Sequence, residues 1–185
     1  MGKKVVDMTT YYKGWPHKGH YVKQLKKAYD AFYYYLSLLY VETLNRPCVI
    51  MDIDDTILFT DPDNQIGLYH SKNEMLEPNP YIWTIPYICK QMGIDVIILT
   101  ARNERWRDHT IENLLLHDIP FDELLMNKGN ATNNFKIKIR EDIRKDRDVV
   151  AEIGDQWNDV NMSETSLCLK LPSPDDPYVK YLYPS

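Results

Sequence analysis

Several large functional classes are excluded by what this chain lacks. Its three cysteines, Cys48, Cys89 and Cys168, are widely spaced inside apolar stretches and form no CxxC pair. That spacing speaks against a zinc or dithiol redox motif and reads as buried, reduced thiols. Basic residues are not in excess: 22 Lys and Arg stand against 27 Asp and Glu, a net charge of -5. Such a balance argues against a broad nucleic-acid-binding surface, although it leaves room for a local basic groove. No apolar run approaches the length of a membrane span. The opening stretch MGKKVVDMTT has no apolar signal region, so a cytoplasmic location is expected. Internal repeats and low-complexity tracts are absent as well.

What is present suits a folded enzyme-sized domain. The 185 residues are 44% hydrophobic and 26% charged, enough for one compact core and too apolar for global disorder. Residues 1–46 are expected to form a loose arm followed by an amphipathic helix, and residues 47–185 a core. In the helix, Val22, Leu25, Tyr29, Phe32, Leu36 and Leu39 recur every three or four positions and make one apolar stripe; Pro47 is expected to end it. This tyrosine-rich helix is expected to pack on the core, with a homodimer seam as an alternative use. Beyond it, CVIMDI (48–53), IDVIILT (94–100), FDELLM (121–126), DVVAEI (148–153) and SLCLKL (166–171) read as strands. Residues 79–92, 104–117 and 135–145 read as helices between them, with Trp106, Ile111, Leu114 and Leu115 facing inward. Continuous apolar strands alternating with helices predict an α/β fold with a mostly parallel five-stranded sheet covered on both faces.

Ligands of such sheets bind at the carboxyl ends of the strands. Asp52 and Asp54 fall where the first strand runs out, Thr100-Ala101-Arg102 follow the second, and Gly154-Asp155 and Asn158-Asp159 follow the fourth. Carboxylates gathered at one rim raise each other's pKa unless a cation sits among them. A hard divalent ion with oxygen ligands resolves the repulsion, and a site of few carboxylates suits Mg²⁺. Period-two geometry places Asp52 and Asp54 on one side of the extended chain, so one can attack while the other handles protons. The Thr100 hydroxyl can donate to a phosphate oxygen, and Lys136 or Lys138 can neutralise the remaining charge.

Four stretches in this order, DIDDT (52–56), ILTAR (98–102), FKIKIR (135–140) and GDQWND (154–159), resemble the phosphatase branch of the haloacid dehalogenase (HAD) superfamily. GDQWNDV with the downstream LKLPSPDDPYVKYLYP is similar to the ending of the third HAD subclass of acid phosphatases (IIIB). The resemblance implies a Rossmann-like core with helical material before it. About forty residues separate the first two motifs, too few for a large inserted cap. It further implies a Mg²⁺-dependent phosphomonoester hydrolase. Asp52 would be the nucleophile, and Asp54 the acid and base that also lends its backbone carbonyl to the metal. Asp155 would be the third metal ligand, so that Asp52, Asp54 and Asp155 form the metal set. Asp159 would support that ligand or hold a metal-bound water. Thr100, with Ala101 and Arg102, would bind phosphate. Lys136 best fits the motif lysine, because Phe-Lys-x-x-x-Arg resembles the Tyr-Lys-x-x-x-Arg pattern of one acid-phosphatase subgroup, and Lys138 is the runner-up. Asp55 has no assigned chemistry and reads as a capping acid. Trp83 and Trp157 read as packing residues, Trp157 with the option of bordering the site. In the long stretch 59–80, Asp61, Asn64, Tyr69 and His70 are candidates for the substrate entrance.

A small-molecule phosphoester is the expected substrate. Two other readings remain. PFDELLM before a lysine-bearing helix resembles, faintly, polynucleotide 3′-phosphatases, against which the acidic charge balance argues. A non-catalytic binding protein built on the same fold is the second.

Overall fold

The structure, a computed structural model, describes residues 18–59, 78–79, 81–129, 135–160 and 166–172, with only the backbone of 18–22. The expected arm, the entrance residues Asp61, Asn64, Tyr69 and His70, and most of the downstream tail lie outside the described residues.

Five strands form one sheet: β1 (Cys48–Met51), β2 (Asp95–Asn103), β3 (Glu123–Asn127), β4 (Val149–Gly154) and β5 (Leu167–Lys170). All neighbours pair in parallel, in the order β3-β2-β1-β4-β5. Every residue of β1 and β4 is buried, as strands covered on both faces require. The order reverses at β1: the chain builds outward through β2 and β3, then returns to the other side for β4 and β5. A crevice therefore opens between the ends of β1 and β4, where doubly wound sheets take ligands.

Among the described residues, four helices cover the sheet: α1 (Lys18–Ser37), α2 (Ile85–Gln91), α3 (Arg107–Leu116) and α4 (Phe135–Ile143). The larger cluster gathers Val49, Met51 and Ile98 with Leu25, Phe32 and Leu36 of α1, Ile85 and Cys89 of α2 and Leu114 of α3. Full burial of a residue such as Phe32 stabilises by roughly 1.5–3 kcal/mol, so α1 is bound into the core by its own apolar stripe. On the other face Cys48, Ile50, Ile97 and Leu99 meet Phe135, Ile139 and Ile143 of α4.

Four local expectations are corrected. Helix α1 ends at Ser37, ten positions before Pro47. Its last carbonyls are taken by tighter contacts: Leu38 N–H donates to Tyr35 and Leu39 N–H to Leu36, both at 3.1 Å. A short 3₁₀ turn, Val41–Thr43, follows. The helix expected over 79–92 begins at Ile85, after a 3₁₀ turn at Ile82–Thr84. Leu115 is 60% exposed instead of facing inward; on α3 the buried positions are Thr110 and Leu114, and Leu115 stands about 100° further round the helix. Finally, β2 runs on through Asn103, so Thr100, Ala101 and Arg102 lie within the strand and not after it. Its pairing with β3 breaks register between Thr100 and Asn103, an irregularity of the kind that re-aims side chains at a sheet end.

Candidate active site

After Met51 the chain leaves the sheet but stays bonded to it, the Asp52 N–H donating to Ile153 of β4 at 3.0 Å. The next residues wrap around one carbonyl: Thr56, Ile57 and Leu58 all donate to Ile53 O at 2.9–3.1 Å. That wrap needs a left-handed residue, supplied by Asp55 at φ +54°; aspartate tolerates this conformation better than most side chains. Asp55 thus shapes the turn that holds its neighbours.

Asp155 follows β4 directly, beside Asp52 across the crevice. The loop from Gly154 to Asp159 closes on itself, with the Gln156 N–H donating to Asp159 Oδ2 at 2.9 Å. Gly154 permits the closure: a Cβ there would sit 2.1 Å from the Cβ of Asp159. One carboxylate oxygen from each of Asp52, Asp155 and Asp159 lies within 4.8 Å of the others, and all three residues are buried. Lys136, in the first turn of α4 and itself buried, donates to Asp52 Oδ1 at 2.8 Å and also bonds Asp159 Oδ1. Lys138, the alternative lysine, appears in none of these contacts among the described residues.

Burial, then the charges of Asp159, Asp54 and Asp155, push the Asp52 carboxyl well above its ordinary range, against the pull of Lys136. For Lys136, burial works to lower the pKa but is outweighed by Asp52 and Asp159, so the ammonium is held above its ordinary value and stays charged. One ammonium among several dry carboxylates leaves negative charge uncompensated. Hard carboxylate oxygens this close together are the donor set that Mg²⁺ takes, so the residues present fit a divalent cation.

The structure does not place every candidate in this cluster. The Asp54 carboxylate turns to Arg102, which donates from Nη2 to Oδ1 at 2.6 Å and from Nε to Oδ2 at 2.9 Å. Asp54 is consequently absent from the carboxylate cluster, whose third member is Asp159. Arg102 is buried, and its Nη1 donates to Asn113 Oδ1 of α3 at 3.2 Å. Its guanidinium thus joins Asp54 to α3. Thr100 is buried, its Oγ1 accepting from the Arg102 N–H at 3.2 Å, and Ala101 is exposed beside it. Trp157 is not a packing residue: it is 57% exposed, with Lys170 Nζ 5.3 Å from its ring centroid. Trp83 does pack against the core.

Two partners were given no role from the sequence, although Arg140 is the arginine of the Phe-Lys-x-x-x-Arg pattern. Asn113 buttresses Arg102, a contact between strand and helix that no local spacing signals. Arg140 donates to the Asn158 carbonyl at 2.7 Å; its spacing of four from Lys136 was the available clue, since such pairs share a helix face.

A parallel sheet with a buried acidic cluster and a lysine converging at its switch point defines a doubly wound α/β protein. The chain belongs to the HAD superfamily, subfamily IIIB (acid phosphatase), whose model matches residues 84–176. That match begins after the Asp52–Asp55 stretch. Two curated relatives from Arabidopsis thaliana are vegetative storage protein 2, 29% identical over 166 residues, and vegetative storage protein 1, 28% identical over 164. Each alignment takes in 78% of this chain, which spans only 61% and 60% of the relatives' lengths. Among solved structures, the class C acid phosphatase of Bacillus anthracis superposes with a TM-score of 0.69 at 17% identity, covering 88% of this chain and 81% of that one. The Pnkp1/Rnl/Hen1 RNA repair complex contains a chain that superposes at 0.56 and 20% identity, covering 72% of this chain and 44% of that one. Both likenesses speak to the fold. No helix among the described residues is long and apolar enough to cross a membrane.

Proposed function

We propose that this chain is a Mg²⁺-dependent phosphomonoester hydrolase that works through an aspartyl-phosphate at Asp52. The observation that supports this most is the buried convergence of Asp52, Asp155, Asp159 and Lys136 at the sheet's switch point in a chain of subfamily IIIB. Asp52 and Asp155, with the backbone carbonyl of Asp54, would hold Mg²⁺, and Asp159 would support them. The ion supplies charge neutralisation between an anionic nucleophile and an anionic substrate.

Lys136 takes one oxygen of Asp52 and orients the carboxylate, leaving the other oxygen to attack phosphorus. The Asp52–phosphorus bond forms as the bond to the leaving oxygen breaks, and Asp54 gives that oxygen a proton. Asp54 then takes a proton from water, whose oxygen attacks phosphorus and releases Asp52. Thr100 donates its hydroxyl to the phosphoryl group, and Lys136 balances its charge. Arg102 has a different role from phosphate binding: it aims the Asp54 carboxylate, which must free one oxygen from the guanidinium to serve as acid. Small phosphoesters are the proposed substrates.

The relatives' name supports a second reading, a storage protein without turnover. A store needs no buried acid cluster, so the complete set from Asp52 to Asp159 favours catalysis. The polynucleotide reading has a fold likeness in its favour and the net charge of -5 against it. One screen separates all three: a phosphoester library with and without Mg²⁺, including a 3′-phosphorylated oligonucleotide. The proposal expects Mg²⁺-dependent hydrolysis of small esters. No hydrolysis at all would leave the storage reading, and hydrolysis of the oligonucleotide alone would leave the polynucleotide one.

A further inference from the structure

Arg140 takes part in no step above, yet it is among the most deeply buried side chains, at 1% exposure. It stands one turn after Lys136 on α4, on the same face. Lys136 bonds Asp159, and Arg140 Nη2 donates to the carbonyl of Asn158, the residue before it, at 2.7 Å. Successive turns of one helix thus grip successive residues of the loop that carries Asp155 and Asp159. Behind the guanidinium lies Glu152, fully buried on β4 three residues before Asp155, with an oxygen 3.8 Å from Arg140 Nε. That is beyond hydrogen-bond reach, and Nε and Nη1 have no hydrogen-bond partner. Part of its task is electrostatic, since its charge lies beside the buried Glu152 carboxylate, which Arg144 also bonds. Its one hydrogen bond among the described residues, however, goes to the loop.

We propose that Arg140 is a positioning residue of the active site. By tying the Asn158 carbonyl to α4 it sets the separation of the Lys136 ammonium from Asp159, and through the closed loop the aim of Asp155 toward Asp52. The kinetic consequence rests on the phosphatase reading; the consequence for cation binding rests only on the geometry of the cluster.

The test compares Arg140→Met, which keeps volume but loses the donor and charge, with Arg140→Lys, which keeps both at shorter reach. Leu114→Ala, a core truncation away from the site, serves as the stability control. For each, kcat and KM are measured on an ester from the screen, the Mg²⁺ dissociation constant by calorimetry, and the thermal midpoint. In folded Arg140→Met, kcat is expected to fall and Mg²⁺ binding to weaken by about 10–100-fold, as for residues supporting metal ligands, with KM within about twofold. Arg140→Lys recovers part of both losses, and Leu114→Ala shows neither. Wild-type kcat and Mg²⁺ affinity in Arg140→Met, or equal losses in Leu114→Ala, would overturn the inference. If the wild type hydrolyses nothing, the phosphatase reading fails by itself and the calorimetric comparison still decides: weaker Mg²⁺ binding in Arg140→Met supports the role of Arg140. Unchanged binding, or no binding by the wild type, overturns it.

Discussion

Ionic clusters sit at both ends of the parallel sheet, built from the same kinds of residue. At the amino end, Arg147 bridges Asp95 of β2 at 2.6 Å and Glu123 of β3 at 2.5 Å. Those carboxylates are 38% and 41% exposed, so water screens them. Such pairs are worth about 0–1 kcal/mol each. At the carboxyl end, Lys136 faces Asp52 and Asp159 with Asp155 in range, all buried. There acids outnumber the base and little water reaches them. The first cluster clips strand starts together. The second keeps its excess of acids out of water, an arrangement that fits a divalent cation. Burial separates the two clusters, since acids outnumber the base at both ends.

Substitutions at the two ends should therefore diverge. The largest effect is expected for Asp52→Asn, which removes the proposed nucleophile: turnover should fall at least about a thousandfold while circular dichroism stays native. The matched change at the other end, Asp95→Asn, should leave kcat within about twofold and cost about 1 kcal/mol or less. Wild-type-like hydrolysis by Asp52→Asn would erase the contrast. Lys136→Met follows, with a loss of about 10²–10³-fold in kcat. It also leaves buried carboxylates without their cation, which costs about 3–5 kcal/mol. A denaturant titration that finds Lys136→Met as stable as wild type without Mg²⁺ would count against Lys136 as the cation that offsets these buried carboxylates. Gly154→Ala pushes a methyl against the Cβ of Asp159, 2.1 Å away. A shift of this order at the site should cost about a hundredfold in kcat, and kinetics unchanged from wild type would show that the loop yields freely.

The smallest effect concerns Cys48, which opens β1 at the amino end. Burial pushes its thiol up to about 12, outweighing the lowering influence of Arg147. A raised folded pKa keeps the thiol protonated when the unfolded chain has already lost the proton. Its stability contribution is complete below the unfolded value and is lost as pH rises toward about 12. Cys48 should resist alkylation at pH 9 until denaturant is added, as judged by mass spectrometry of the modified peptides. Rapid native alkylation would mean that the amino end, too, can activate a buried group.

Much of this architecture was legible in the chain. The runs CVIM and DVIILT are too apolar for anything but buried strands, and the acids after β1 and β4 stand where a parallel sheet presents its ligand site. The parts that were not legible depend on contacts distant in sequence. Pairing with β3 carries β2 through Arg102, which local apolarity, ending at Leu99, does not signal. The Arg102–Asp54 pair joins residues 48 apart, and nothing beside Arg102 distinguishes a phosphate clamp from a brace. The spacing of Asp159 from Asp155 does not reveal a loop that closes back on the Asp159 carboxylate and brings it beside Asp52. Trp157 read as packing because size and apolarity suggest burial, whereas its place in a tight loop at the rim leaves it in water.

The most direct test of the central claim is ¹⁹F NMR of the protein with beryllofluoride, a mimic of a phosphoryl group on a carboxylate. With Mg²⁺ the wild type should show bound fluoride resonances that disappear on chelation and are missing in Asp52→Asn. Bound resonances that persist unchanged in Asp52→Asn, or their absence from the wild type with Mg²⁺ present, would contradict the account.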